Sequence, residues 1–207
     1  TYQVNYTYRL RSPWSAAPYP FFALLAAAHT PPYAAYLETS AWAIASLSPE
    51  LFFTLDGQTL TGRPMKGTAP RGRLLEDDQG WAEWLYHSEK NRAENVMIVD
   101  MVRNDLGRIA RTGSVRVPRL WETERYPTLW QMTSTVCAET GAPLEEILGA
   151  IFPSASITGA PKVRTMGIIA ALERTPRGIY TGCVGVLGPG RRGWMNVAIR
   201  TLVVDRR

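Results

Sequence analysis

The sequence predicts a single domain of mixed strands and helices. Its 207 residues are 45% apolar and 20% charged, the size and composition of one globular unit with a substantial core. Short alternating or β-branched runs recur along the chain, and one pair flanks Asp56-Gly57, a strong hairpin signal. Between these runs lie stretches with apolar residues at helical spacing, the longest over about 78–104.

The elements follow in order. Tyr2 to Leu10 alternates and contains β-branched and aromatic residues, so it reads as a strand. Pro20 to Ala28 reads as a short helix that Pro31-Pro32 ends. Tyr33 to Leu37 and Ala41 to Ser46 read as strands. In the hairpin, Leu51 to Leu55 faces Gln58 to Arg63; a two-residue Asp56-Gly57 turn pairs Leu55 with Gln58 and, extended, Glu50 with Arg63. One long helix is expected from about Asp78 to Asn104, with Gly107 as its left-handed cap. Ser114 to Val117 and Thr128 to Ala138 read as strands, the second with an unusually hydroxyl-rich face. Leu144 to Ile151 reads as a helix after Pro143, and a further helix starts near Pro161 and runs to about Leu172. Tyr180 to Leu187 and Trp194 to Val204 close the chain as strands, with Arg200 inside the second apolar run.

Charge and composition narrow the partners. A net charge of +5 suits a small anionic ligand as well as a nucleic acid and selects neither; no nucleic-acid motif accompanies it, so no nucleic-acid partner is expected. The most apolar run, Phe21 to Ala28, is too short to span a bilayer, and no signal peptide is visible, so no membrane partner is expected. Cys137 and Cys183 stand far apart outside any Cys-x-x-Cys pattern, which fits reduced thiols and a cytoplasmic protein.

Candidate chemistry centres on Arg63-Pro64-Met65-Lys66-Gly67-Thr68-Ala69-Pro70-Arg71-Gly72. Prolines stiffen this loop and glycines admit close approach, so either Lys66 is presented to something or this is an ordinary basic surface loop after a strand. A lysine attacks only as the free amine, and a site using one has to favour that form. A strict pleat puts Lys66 on the face away from Glu50. Pro64 cannot donate to a ladder, so the pleat is expected to break there and let Glu50 and Lys66 line one pocket. The alternative for Glu50 is a surface pair with Arg63. Glu94, at mid-helix among small polar residues, is either a ligand for a hard cation or part of a solvated face. Ser156 and Thr158 precede a helix start whose free N–H groups favour an anion. Arg200, in an apolar strand, needs a carboxylate partner from the protein or from a ligand.

Five stretches taken together resemble the chorismate-binding enzymes: Pro64 to Thr68, Ser88 to Asp100, Arg103 to Arg108, Ser156 to Lys162 and Asn196 to Thr201. This is the family of anthranilate, aminodeoxychorismate, isochorismate and salicylate synthase large subunits. The matches come in family order and run almost end to end. The resemblance implies an α+β fold, with antiparallel sheets packed on each other, helices outside and the site between them. A lysine where Lys66 stands marks the aminodeoxychorismate synthase branch; anthranilate synthases carry alanine. The implied reaction is amination of chorismate at C4. Lys66 is the nucleophile and Glu50 the general acid, with ammonia supplied from glutamine by a separate amidotransferase subunit. Thr68, Ser156, Thr158 and Gly159 match substrate contacts, Tyr180 and Arg200 the grip on the enolpyruvyl carboxylate, and Glu94 a ligand of Mg²⁺. Family chains continue past this end into glutamates that complete the metal site. The chain is therefore expected to be a catalytic domain incomplete at both ends, with Glu94 lacking its usual partner; the alternatives are an anthranilate synthase or another chorismate-using enzyme, or a truncated chorismate-binding domain without activity. Asn91, Gln131, Ser154-Ala155 and Gly167 depart from the family pattern.

Overall fold

The computed structural model describes residues 1–206. In order it contains β1 (Gln3–Val4), α1 (Pro18–His29), β2 (Tyr33–Glu38), β3 (Trp42–Ser48), β4 (Leu51–Asp56), β5 (Thr59–Arg63) and β6 (Met65–Pro70). Then follow α2 (Leu75–His87), α3 (Glu89–Gly107), β7 (Arg116–Arg125), β8 (Leu129–Glu139), α4 (Leu144–Ile151), the single turn α5 (Ala155–Thr158) and β9 (Gly159–Ala160). Helix α6 (Lys162–Leu172), β10 (Cys183–Gly188), β11 (Arg192–Val197) and β12 (Thr201–Asp205) complete it.

Every strand pairing among the described residues is antiparallel. A seven-stranded sheet runs β10-β11-β4-β5-β8-β6, with β7 also on β8; a three-stranded sheet runs β12-β3-β2; and β1 pairs with β9. The main core joins Phe53, Leu55, Leu60 and Val136 of the large sheet to Val99 and Leu106 of α3 and Ile147 and Ile151 of α4. Each such buried side chain contributes about 1.5–3 kcal/mol. Ile44 of β3 packs with Val184 of β10 and with Ala198, which holds the two larger sheets together. The result is an α+β fold with antiparallel sheets packed on each other and helices outside.

Several elements differ from expectation for physical reasons. The long helix is two, broken at Ser88. That residue is extended (φ −65°, ψ 108°) and its hydroxyl accepts the Asn91 N–H at 3.4 Å as the cap of α3. Helix α3 runs through Gly107, and the residue after it, Arg108, stays right-handed, so Gly107 is no left-handed cap. In the hairpin Asp56 pairs with Thr59 and Leu51 with Arg63, so Gly57-Gln58 form the turn, with Gly57 at φ 60°. The first strand shrinks to Gln3–Val4, while β7 extends to Arg125.

Two irregularities shape the site. The expected strand over 194–204 is two strands of different sheets. Residues 198–200 form the joint, with Arg200 at φ 49°. Strands β3 and β4 make the same crossing through Pro49-Glu50. The crossings run side by side: Val197 N–H donates to Glu50 O at 3.0 Å and Leu47 N–H to Arg200 O at 3.1 Å. Strands β5 and β6 follow one edge of β8, with Gly62 opposite Val136, Met65 opposite Thr133, and Thr68 opposite Gln131. Register therefore holds across Pro64. The pleat breaks two residues later, at a bulge where Lys66 and Gly67 together oppose Met132.

Candidate active site

The bulge brings Lys66 to Glu50. Glu50 is 4% exposed at the corner between sheets. Burial pushes its carboxyl up from 4.5 to about 7, against the lowering influence of the Ser156 hydroxyl, the Lys66 ammonium and the Met65 amide. The expected alternative partner is taken elsewhere: Arg63 pairs with Glu124 and lies 4.0 Å from Glu122. Near neutral pH Glu50 therefore holds or releases a proton at the point where the amine stands.

A closed circuit of hydrogen bonds surrounds this point. Glu50 O accepts from Val197, and Ala198 in turn accepts from Thr181 N–H at 2.8 Å and donates to Gly182 O at 2.9 Å. This sets the turn bearing Tyr180 against the joint bearing Arg200. Arg177 donates to Thr181 Oγ1 at 3.4 Å, to Ile157 O at 3.0 Å and to Asn5 O at 2.6 Å, while Glu173 holds its guanidinium. Asn5 Nδ2 then reaches Ser156 O at 2.9 Å, and Ser156 faces Glu50 again.

The other expected site residues distribute as follows. Ser156 and Thr158 are buried in α5, not at the start of the long helix α6, whose Pro161, Val163 and Arg164 are exposed. The Thr158 hydroxyl donates to Ser154 O at 2.9 Å and Ala155 O at 3.4 Å, so its proton is used within the turn. Gly159 has φ 139°, and a Cβ there would stand 2.1 Å from Gln3 O: β1 lies directly on it. Thr68 is exposed one residue past the bulge. Tyr180 is 39% exposed. Its strand starts only at Cys183, which corrects the expected start at Tyr180. Arg200 is an exposed residue at a joint and not a charge inside an apolar strand, so it has no burial that demands a protein carboxylate. Tyr180 and Arg200 lie on hydrogen-bonded neighbours beside Glu50, open to a ligand.

Glu94 stands on a half-exposed face of α3, 3.7 Å from Lys90. The described residues include no group of three or more His, Cys, Asp and Glu able to hold a metal. Glu94 alone does not fit a Mg²⁺ site, which wants several oxygen ligands.

Sequence reasoning gave no role to the Lys162–Asp105 pair. Lys162 Nζ lies 2.6 Å from Asp105 and also donates to Ile151 O and Pro153 O, each at 3.1 Å, tying the approach to α5 onto α3. Burial pushes the Asp105 carboxyl up and Lys162 pulls it down. Arg177 and Asn5 were missed as well. Their signal was weak: charges and amides in stretches that read as turn or strand, with partners over a hundred residues away.

An antiparallel α+β fold with a buried acid and an amine at the corner between its sheets matches a known class. The family model for chorismate binding enzymes matches residues 1–207, and the chain belongs to that family. It is 44% identical over 203 residues to aminodeoxychorismate synthase component 1 of Bacillus subtilis, covering 97% of this chain and 43% of that protein. It is 41% identical over 205 residues to an anthranilate synthase component 1 of Haloarcula marismortui, covering 98% and 42%. The crystal structure of anthranilate synthase component I from Streptococcus pneumoniae superposes with a TM-score of 0.84 at 30% identity, over 93% of this chain and 43% of that one. The chain thus spans less than half the length of these relatives. No described helix is long and apolar enough to cross a membrane.

Proposed function

We propose that this chain carries the aminating centre of an aminodeoxychorismate synthase. The observation that supports it best is a lysine mounted on a bulge beside a buried carboxyl that titrates near 7. Chorismate is a small dianion. In this reading Arg200 and Tyr180 take its enolpyruvyl carboxylate at the corner, and Ser156, Thr158 and Gly159 form the wall opposite. The free amine of Lys66 attacks ring carbon C2; both conjugated ring double bonds shift, from C1–C2 to C1–C6 and from C5–C6 to C4–C5, and the C4–O bond breaks. Glu50 gives its proton to the departing hydroxyl, which leaves as water. Ammonia then attacks C4, both double bonds shift back, the C2–N bond to Lys66 breaks, and the proton lost by the new C4 ammonium goes to the departing amine, giving 4-amino-4-deoxychorismate. Thr68 adjoins the bulge and helps hold the ring. Relatives bearing the name component 1 support a partner component, proposed here as a glutamine amidotransferase that supplies ammonia in the cytoplasm. Glu94 offers one carboxylate to Mg²⁺; the described residues do not provide the rest.

The test is chromatography of products from chorismate and ammonia, using the full protein that contains this chain. Lys66→Ala should abolish 4-amino-4-deoxychorismate and, with excess ammonia, allow attack at C2 instead. Lys66→Arg should be inactive, because a guanidinium stays charged. Near wild-type formation of the C4 product by Lys66→Ala would reduce Lys66 to an electrostatic anchor. The anthranilate synthase relative at 41% identity marks the competing outcome, amination at C2 by the unaltered protein.

A further inference from the structure

Lys66 is mounted on the one stretch of β6 where regular pairing lapses, since it shares the position opposite Met132 with Gly67. Asn95 of α3, 1% exposed, spans that lapse. Its Nδ2 donates to Lys66 O at 3.3 Å and to Met132 O at 3.4 Å, one carbonyl from each strand. Its Oδ1 accepts the Ser134 hydroxyl at 2.5 Å, and Ser134 Oγ accepts the Trp121 N–H at 3.0 Å. The amide is thereby oriented: a flip would set its oxygen against two carbonyls and its NH₂ against the serine proton. Gly67, at φ 101°, lets α3 lie this close, because a Cβ there would be 3.1 Å from Asn91 Cβ.

Side chains alternate along a strand, so a bulge that migrates by one residue turns Lys66 to the opposite face. Resting on the C4-amination reading above, we infer that Asn95 is a positioning residue for the Lys66 amine: it pins the bulge register and so keeps the amine facing Glu50 and the reacting carbon. Asn95 touches no substrate. Its effect passes through the backbone of Lys66, and Ser134 holds the amide in the productive orientation.

The experiment uses Asn95→Leu, close in shape but without hydrogen bonds, and Ser134→Ala, which frees the amide to turn and perturbs the core less. Both are made in the full protein and checked for folding. Two quantities are read: kcat and KM for chorismate, and the rate at which trinitrobenzenesulfonate labels Lys66 relative to the exposed Lys90, by peptide mass spectrometry. Misplacing a reacting group by about 1 Å costs up to about a hundredfold. Asn95→Leu should therefore lose about ten- to a hundredfold in kcat with KM little changed, and Ser134→Ala less in the same direction. In both, Lys66 labelling should shift against Lys90. Unchanged labelling in folded variants overturns the inference, and so does shifted labelling with kcat retained. If the unaltered protein makes no 4-amino-4-deoxychorismate, the functional reading fails, and the labelling ratio alone still decides whether Asn95 places Lys66.

Discussion

Glu50→Gln isolates the energetic consequence of the buried acid. The carboxyl titrates near 7 in the fold against an ordinary value of 4.5. Because the folded value is the higher one, the native state binds the proton more tightly than the unfolded chain does. The stabilisation is complete below about pH 4.5, declines as pH rises towards 7, and is gone above it. At about 1.4 kcal/mol per pH unit between the two values, the folded protein gives up about 3 kcal/mol over that window. Glutamine keeps the shape and cannot ionise. Urea unfolding of both proteins from pH 4 to 9 should show a stability difference that is flat in acid. The variant should then gain steadily from about pH 4.5 to 7, reaching an advantage of about 3 kcal/mol that holds to higher pH. Titrating groups that do not interact with Glu50 cancel in the difference. Activity moves the opposite way: the variant should lose proton delivery, and the wild-type rate should fall above about pH 7 as the acid ionises. A stability difference independent of pH, or one that favours wild type as pH rises, would refute the reasoning. The Lys66 ammonium would then outweigh burial.

Other perturbations test separate parts of the site. Lys162→Met removes the ion-pair partner of Asp105, whose side chain is 8% exposed, and should cost about 3–5 kcal/mol in chemical denaturation, less towards acid pH, where burial, which raises this carboxyl, favours its protonated form. Gly159→Ala adds a Cβ 2.1 Å from Gln3 O at φ 139°. It should detach β1, seen as faster amide exchange at Tyr2 and Asn5, whose N–H groups donate to Ala160 O and Thr158 O. Calorimetric titration of this chain with Mg²⁺ should give weak binding that Glu94→Gln barely alters, since the described residues supply no cluster of ligands; tight, Glu94-dependent binding would count against this.

Much of the fold was legible because period and punctuation agree with it. Leu144 to Ile151 forms a helix over that range, and the strands around Asp56-Gly57 pair as a hairpin. The meeting of Glu50 and Lys66 was readable from the prolines and the glycine, but its cause was misplaced. Pro64 preserves register, and the break falls at Lys66-Gly67, where Gly67 with φ 101° was the available signal. The sheet change at Ala198 to Arg200 was hidden because apolar residues continue on both sides of it. Alternation reports the face of a strand, not which sheet it belongs to. The split at Ser88 carried a cap signature, overridden by the apolar spacing on either side. Arg177 with Asn5 and Lys162 with Asp105 could not be read, because each pairing is fixed only when distant segments are brought together.

The paired crossing of two strands from one sheet to the other joins geometry to specificity in an uneven way. Glu50 and Arg200 ride on the two crossing segments, so their separation follows the angle between the sheets. A ligand held by both would act as a strut across that angle, and would stiffen the whole molecule when bound. The residue at position 66 is mounted differently, on the edge of β8 and under α3, and reaches the crossing only through its charge beside Glu50. Its identity can therefore change without moving the two crossing segments. On the function proposed above, such a frame would make the choice of product a local matter and recognition of the substrate a global one. Relatives named for different products at 44% and 41% identity are what that division allows.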